Sequence, residues 1–294
     1  MMPGLIAALV FALAAGQPPA YRAGIEKYRQ ARLAELTAPN GWLAVQGLFW
    51  LHEGVNSAGS DPASEIKLPP RTAKSIGVFT VTKGSVTFTA ADGVEVTAAG
   101  KPISTFAFEP RGGERSAITT AGVTLFVIRR SDRVGLRMLD PESHARRTFS
   151  GLRYFPLNSD YRLKATFVPY PSMKTVQVAN VIGQLVPMES PGYVEFSLNG
   201  GTWRLEPVYE TSRREDLFFI FKDLTSRTET YEAGRYLHAP LPQDGVVDLD
   251  FNRAYNPPCA FTAFATCPLP TRENQLGVAI RAGELRHHEA AKPR

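Results

Sequence analysis

Residues 77–98 read GVFTVTKGSVTFTAADGVEVTA, and their alternation decides the fold class. Apolar and polar side chains repeat at a period of two, the pattern of strands with one buried face. Lys83-Gly84 and Asp92-Gly93 divide the run into three short strands, Gly77–Thr82, Ser85–Ala90 and Gly93–Ala98. Dipeptides of this kind suit tight hairpin turns. The same pattern continues outward. VTLFVIRR (Val123–Arg130) and VGLRML (Val134–Leu139) form another pair across Ser131-Asp132-Arg133. Further on, YRLKATFV (Tyr161–Val168), VEFSLNGGTWRL (Val194–Leu205) and LFFIFKD (Leu217–Asp223) read as strands, with Asn199-Gly200-Gly201 as a hairpin turn. LGVAIRAGE (Leu276–Glu284) reads as the last strand. Many short strands at close spacing predict sandwiches or a barrel rather than βαβ units.

One segment departs from this period. Tyr21, Ile25, Tyr28 and Leu36 fall on near-helical spacing, and Pro39-Asn40-Gly41 ends the run. The predicted fold is therefore all-β, with two packed β modules and one N-terminal helix. Residues 1–19 read as a signal peptide, 20–150 as the helix with a small β-sandwich, 151–285 as a C-terminal β module, and 286–294 as a flexible tail.

Composition supports this and excludes other classes. The 294 residues are 44% hydrophobic and 21% charged, enough to bury a core and against wholesale disorder. With 24 Gly and 23 Pro, the composition argues against a long-helix or bundle protein. Two cysteines exclude a disulfide-dense scaffold or a zinc ribbon. The net charge of +5 is concentrated: Arg111–Arg153 holds nine Arg, no Lys and four acids. A guanidinium binds carboxylate or phosphate through two parallel hydrogen bonds, so this is either an anion-binding surface or a set of solvated strand ends. No basic run with interleaved aromatics occurs, so nucleic acid is not an expected partner. LIAALVFALAA (Leu5–Ala15) fits a signal-peptide core, and its eleven residues fall short of the roughly 20 a bilayer span needs. Small residues precede Gln17 as cleavage sites, although no Lys or Arg precedes the apolar run. The expectation is an exported protein, periplasmic or secreted, with no membrane span after cleavage.

Two stretches resemble known families. LHEGVNSAGSDPASEIKL (Leu51–Leu68) is similar to the opening of a forkhead-associated sandwich. Ser60 stands where that family has its phosphate-binding Arg, and no Ser-x-x-His follows. FIFKDLTSRTETYEAGRYLHAPLP (Phe219–Pro242) and DLDFNRAYNPPCAFTAFATCPLPTRENQLGVAIRAGE (Asp248–Glu284) resemble the bacterial domain of unknown function 1684 family. The resemblance extends to Gly41–Gly54 and Phe149–Ala165. It implies no catalytic residue.

Read physically, the C-terminal block is a Pro-stiffened loop rich in polar side chains. Arg235, Asp250, Asn252, Tyr255, Asn256, Glu273 and Asn274 are the candidate ligand-binding residues. The competing reading is a loop whose Asn and Asp side chains satisfy its own backbone. Arg235 is expected to pair with an acid such as Asp250. Cys259 and Cys267 admit three readings: a disulfide closing the loop, two buried thiols, or a nucleophile. Their spacing is not that of a zinc site, and no metal or cofactor is assigned. The five His are scattered, and no G-x-S-x-G elbow is present. Asp223, Asp250 and Glu273 are carboxylates from which a hydrolytic pair can be drawn. The leading functional expectation is an exported protein binding a small anionic or polar ligand at the C-terminal loop. The alternatives are a periplasmic hydrolase and a cell-envelope interaction module.

Overall fold

Two sheets face each other in the first half of the computed structural model, which describes residues 18–287. The expected export segment Leu5–Ala15 and most of the tail lie outside the described residues. One sheet is five-stranded, in the order Ile66–Lys67, Gly54–Gly59, Gly77–Thr82, Ser85–Ala90, Thr105–Ala107. The other is six-stranded, in the order Val45–Trp50, Arg133–Leu139, Val123–Arg130, Ala117–Thr120, Thr97–Ala98, Lys101–Pro102. Phe79, Val81, Val86 and Phe88 from the first sheet meet Val123, Leu125, Val127, Leu136 and Met138 from the second in one buried core. Each such side chain contributes about 1.5–3 kcal/mol by leaving water. The expected strand Gly93–Ala98 is reduced to Thr97–Ala98, because Val94 N–H donates back to the Ala91 carbonyl and prolongs the turn.

The second half is built on a long antiparallel hairpin, Arg162–Ala179 with Leu185–Leu198. Gly201–Leu205 extends it on one side and Val246–Asp250 on the other. Its register breaks between Pro169 and Lys174. Pro169 and Pro171 lack the N–H groups a ladder requires. Asp216–Phe221 and Arg235–Pro240 make a separate two-stranded sheet. Phe196, Leu205, Phe219, Phe221, Leu249 and Phe251 form the core between them.

The expected last strand does not form. Leu276, Val278, Ile280 and Ala282 alternate into the core as predicted. Their backbone is held in two ways: Leu276 N–H donates to the Lys222 carbonyl and the Val278 carbonyl accepts from Leu224 N–H, whereas Ile280 and Ala282 are held by side chains. Asp223 Oδ1 accepts from Ile280 N–H, and the Arg235 guanidinium donates to the carbonyls of Ile280 and Ala282. A buried ion pair therefore takes the place of a neighbouring strand at Ile280 and Ala282.

The predicted helix spans Pro19–Thr37, with Pro19 at its first turn, where a missing N–H costs nothing. Ile25, Arg32 and Leu36 are its buried residues. A second, one-turn helix, His144–Arg147, is capped by Ser143 Oγ, which accepts from Arg146 N–H. The long helix docks on the C-terminal loop through polar contacts. Tyr21 OH donates to Asp250 Oδ1 at 2.9 Å and Tyr28 OH to the Arg253 carbonyl at 2.8 Å. Arg32 donates to Glu284 Oε1 at 3.3 Å and to the Asn256 carbonyl at 3.0 Å. No helix among the described residues is long and apolar enough to cross a membrane.

Candidate functional site

A cavity of about 610 Å³ opens where the start of the long helix meets the ends of three strands. The helix contributes Ala20, Tyr21 and Gly24 to its wall. Arg162 comes from the first residue of the long hairpin, and Asp248 and Asp250 from the end of Val246–Asp250. The two acids are two positions apart in a strand, so both face one way. His238 and Pro240 enter from Arg235–Pro240, and Arg253 from the turn that follows Asp250.

The charges on this wall are held in fixed places. Asp250 Oδ1 accepts from Tyr21 OH and from both the backbone and side-chain N–H of Asn252. Its other oxygen lies 3.5 Å from Arg253 Nε, whose side chain remains 45% exposed. Arg162 donates to Asp248 at 2.5 Å, and this bond holds the Asp248 carboxyl below its usual range. Burial, reinforced by the neighbouring Asp250 charge, pushes the Tyr21 phenol up. His238 stacks between the rings of Phe218 and Tyr255. Its Nδ1 is 2.9 Å from Asp216 Oδ2, and its Nε2 is 3.0 Å from Tyr255 OH.

The sequence candidates divide between this cavity and the framework. Asp250 lines the wall, Asn252 braces it from below, and Tyr255 positions His238. Arg235 is elsewhere: it is fully buried against Asp223 at 2.7 Å, not against Asp250. Asp223 lies across the adjoining end of the two-stranded sheet, closer to Arg235 than the Asp250 strand end. Asn256 donates to the Leu285 carbonyl. Asn274 bonds the backbone of Glu206 and Ile220. Glu273 is exposed and does not line the cavity. Asn252, Asn256 and Asn274 thus bond backbone groups of Asn158, Leu285, Glu206 and Ile220, which lie outside the loop itself. Tyr21, Arg162, His238 and Asp248 were not among the candidates. The spacing of Asp248 and Asp250 on one strand face was the available signal.

Cys259 and Cys267 are free thiols, not a disulfide. Cys267 Sγ accepts from Cys259 N–H at 3.2 Å, so the sulfur is engaged by a hydrogen bond in place of the expected covalent bridge. The hydrogen bond from the Cys267 thiol holds the Cys259 thiol down, and its own proton is held correspondingly tightly. No group of three or more His, Cys, Asp or Glu suited to a metal occurs among the described residues.

Sheet architecture and site together define an all-β chain with a helix-docked cavity. Residues 147–285 match the family described as Protein of unknown function (DUF1684), and the chain belongs to that family. Among solved structures, it is similar to an uncharacterized protein of Haloarcula marismortui, determined by solution NMR. The two are 31% identical, the match covers 49% of this chain and 81% of the other, and the TM-score is 0.42. No curated protein matches.

Proposed function

We propose that this is an exported binding protein, and that the cavity beside the helix receives a small polar ligand carrying an anionic group. The observation that carries the reading is the arrangement of Arg253 and Asp250. Asp250 Oδ1 is taken up by Tyr21 and Asn252, so the half-exposed Arg253 guanidinium on the cavity wall has a long contact to the other Asp250 oxygen and the face of the Tyr28 ring, with no close hydrogen-bonded acid among the described residues. Asp248, paired with Arg162, and Asp250 add acceptor oxygens to the same wall, so a ligand with both an anionic and a donor group fits best. Export is supported by the uncharged apolar stretch Leu5–Ala15. The test is a thermal-shift screen with small carboxylates, phosphates and amino acids. A ligand that raises the melting temperature of the wild type, and does so much less for Arg253→Ala, is the expected result. A flat response of the wild type across all three classes would overturn the reading.

A hydrolytic reading rests on the Asp216–His238 pair at the cavity wall. His238 Nε2 already faces Tyr255 OH, so a base role requires that contact to open. Turnover of ester or phosphoester substrates that disappears in His238→Ala would favour it.

A further inference from the structure

The six-stranded sheet has a second face, and it carries charge into a buried seam. Leu125, Val127, Leu136 and Met138 point into the sandwich core. By the two-residue period, Arg130 and Arg137 lie on the opposite face. The C-terminal loop covers that face: Thr266 Oγ1 accepts from Arg130 Nε at 2.8 Å, and Thr262 Oγ1 donates to the Val45 carbonyl at 2.8 Å.

Arg137 is 7% exposed, and its Nε and Nη2 have no acceptor among the described residues. Its guanidinium lies over the Trp42 ring, 5.1 Å from the centroid. Burial, with Arg130 nearby, brings it down to about 10. A buried cation without a hydrogen-bonded counter-charge is costly and calls for an explanation. The groups whose charge would offset it are Cys267 and, after it, Glu114. Cys267 is the buried member of the thiol pair, and Cys259 the partly exposed one. Pro257, Pro258 and Pro268 flank the two cysteines and limit how far the thiols can separate.

We propose that Cys259 and Cys267 form a redox-active dithiol in which Cys259 attacks a low-molecular-weight disulfide and Cys267, whose apolar cluster packs against the Trp42 ring under the Arg137 guanidinium, resolves the product. The Cys259 thiolate attacks one sulfur of the disulfide. The S–S bond breaks, a first thiolate leaves and takes up a proton, and a mixed disulfide remains on Cys259. The Cys267 thiolate then attacks the Cys259 sulfur and expels the second thiolate, which is protonated in turn. Two electrons pass from the protein to the small disulfide, and the protein's two thiol protons end on the two released thiols. Arg137 stabilises the Cys267 thiolate that the second step needs. This site is separate from the cavity beside the helix, so neither reading depends on the other.

The full chain is equilibrated in glutathione buffers of rising oxidised fraction, quenched with acid, unfolded and alkylated. Both thiols should be lost together at one defined ratio and return on reduction. In Cys267→Ser a glutathione adduct should stay on Cys259, whereas in Cys259→Ser the native chain should leave Cys267 unmodified. Arg137→Met removes an uncompensated buried cation and should fold at least as well as the wild type. It should slow the closing step about tenfold, so that mixed disulfide accumulates, with the first attack unchanged. Arg137→Lys, which keeps the charge, should recover closing. Two alkylatable wild-type thiols at every ratio, or equal adducts in the two serine variants, would overturn the dithiol. Closing by Arg137→Met at the wild-type rate would overturn the role given to the arginine.

Discussion

Replacing Arg235 by alanine removes a guanidinium that is 1% exposed and sits between Asp223 and the carbonyls of Ile280 and Ala282. The Asp223 carboxylate would be left unpaired in a site as buried as its partner, at a cost of about 3–5 kcal/mol. Two core carbonyls would also lose their donors, adding about 1 kcal/mol or more each. The total, about 5–7 kcal/mol, approaches the whole stability of an ordinary domain. Urea titration followed by tryptophan fluorescence reads it, since Trp203 packs against the affected core. Adding Asp223→Asn to the alanine variant removes the stranded charge and should return a substantial part of the loss. A loss under about 1 kcal/mol for Arg235→Ala would refute the claim that this ion pair stands in for a strand.

Arg32→Met should destabilise by about 3 kcal/mol or more at pH 8, because it strands Glu284, which is fully buried. Burial raises the Glu284 carboxyl, so the folded chain binds more protons than the unfolded one above the ordinary carboxyl range, and stability tied to this group falls as pH rises. The deficit of Arg32→Met should accordingly shrink between pH 8 and pH 5, which urea midpoints at the two values would reveal. Gly283→Ala should lower stability by about 2 kcal/mol or more, measurable by thermal melting: Gly283 has φ +79°, and an added Cβ would lie 2.4 Å from the Ala254 carbonyl oxygen. Seven of the ten tyrosines, Tyr236 and Tyr255 among them, are pushed up chiefly by burial. Phenolate absorbance at about pH 11 should therefore rise far less in the folded chain than in urea, and stability should fall as pH climbs above about 10.

The strands were legible because alternation is local. Gly77–Thr82, Ser85–Ala90 and Val123–Arg130 form with the bounds their side-chain period predicts. Leu276–Glu284 shows the limit of that signal. The period tells which side chains go inward, but not where the backbone N–H and C=O groups find partners. At Ile280 and Ala282 they find Asp223 and Arg235, more than forty residues away. The helix was legible through Tyr21, Ile25, Tyr28 and Leu36, yet Arg32 belongs to the same buried face and carries the wrong polarity for a hydrophobic stripe. The cavity was only half legible. Asp250 stood out in its loop, whereas Tyr21 bonds it from 229 positions away. Contacts at such separation leave no trace in spacing. The three asparagines of the loop looked like ligand groups because the same amide serves a ligand and a backbone carbonyl equally well.

The helix at one end of the described chain is fastened to Asp250, Arg253, Asn256 and Glu284 near the other. During synthesis its dock does not yet exist. At roughly 5–20 residues per second, the helix waits about 12–50 s while the remaining roughly 250 residues emerge. Until then its only partners besides water are earlier ones such as the Phe155 carbonyl, which accepts from Arg29. A ribosome that stops before Glu284 leaves the earliest helix without its anchor, so the last residues of the block complete what the first ones began.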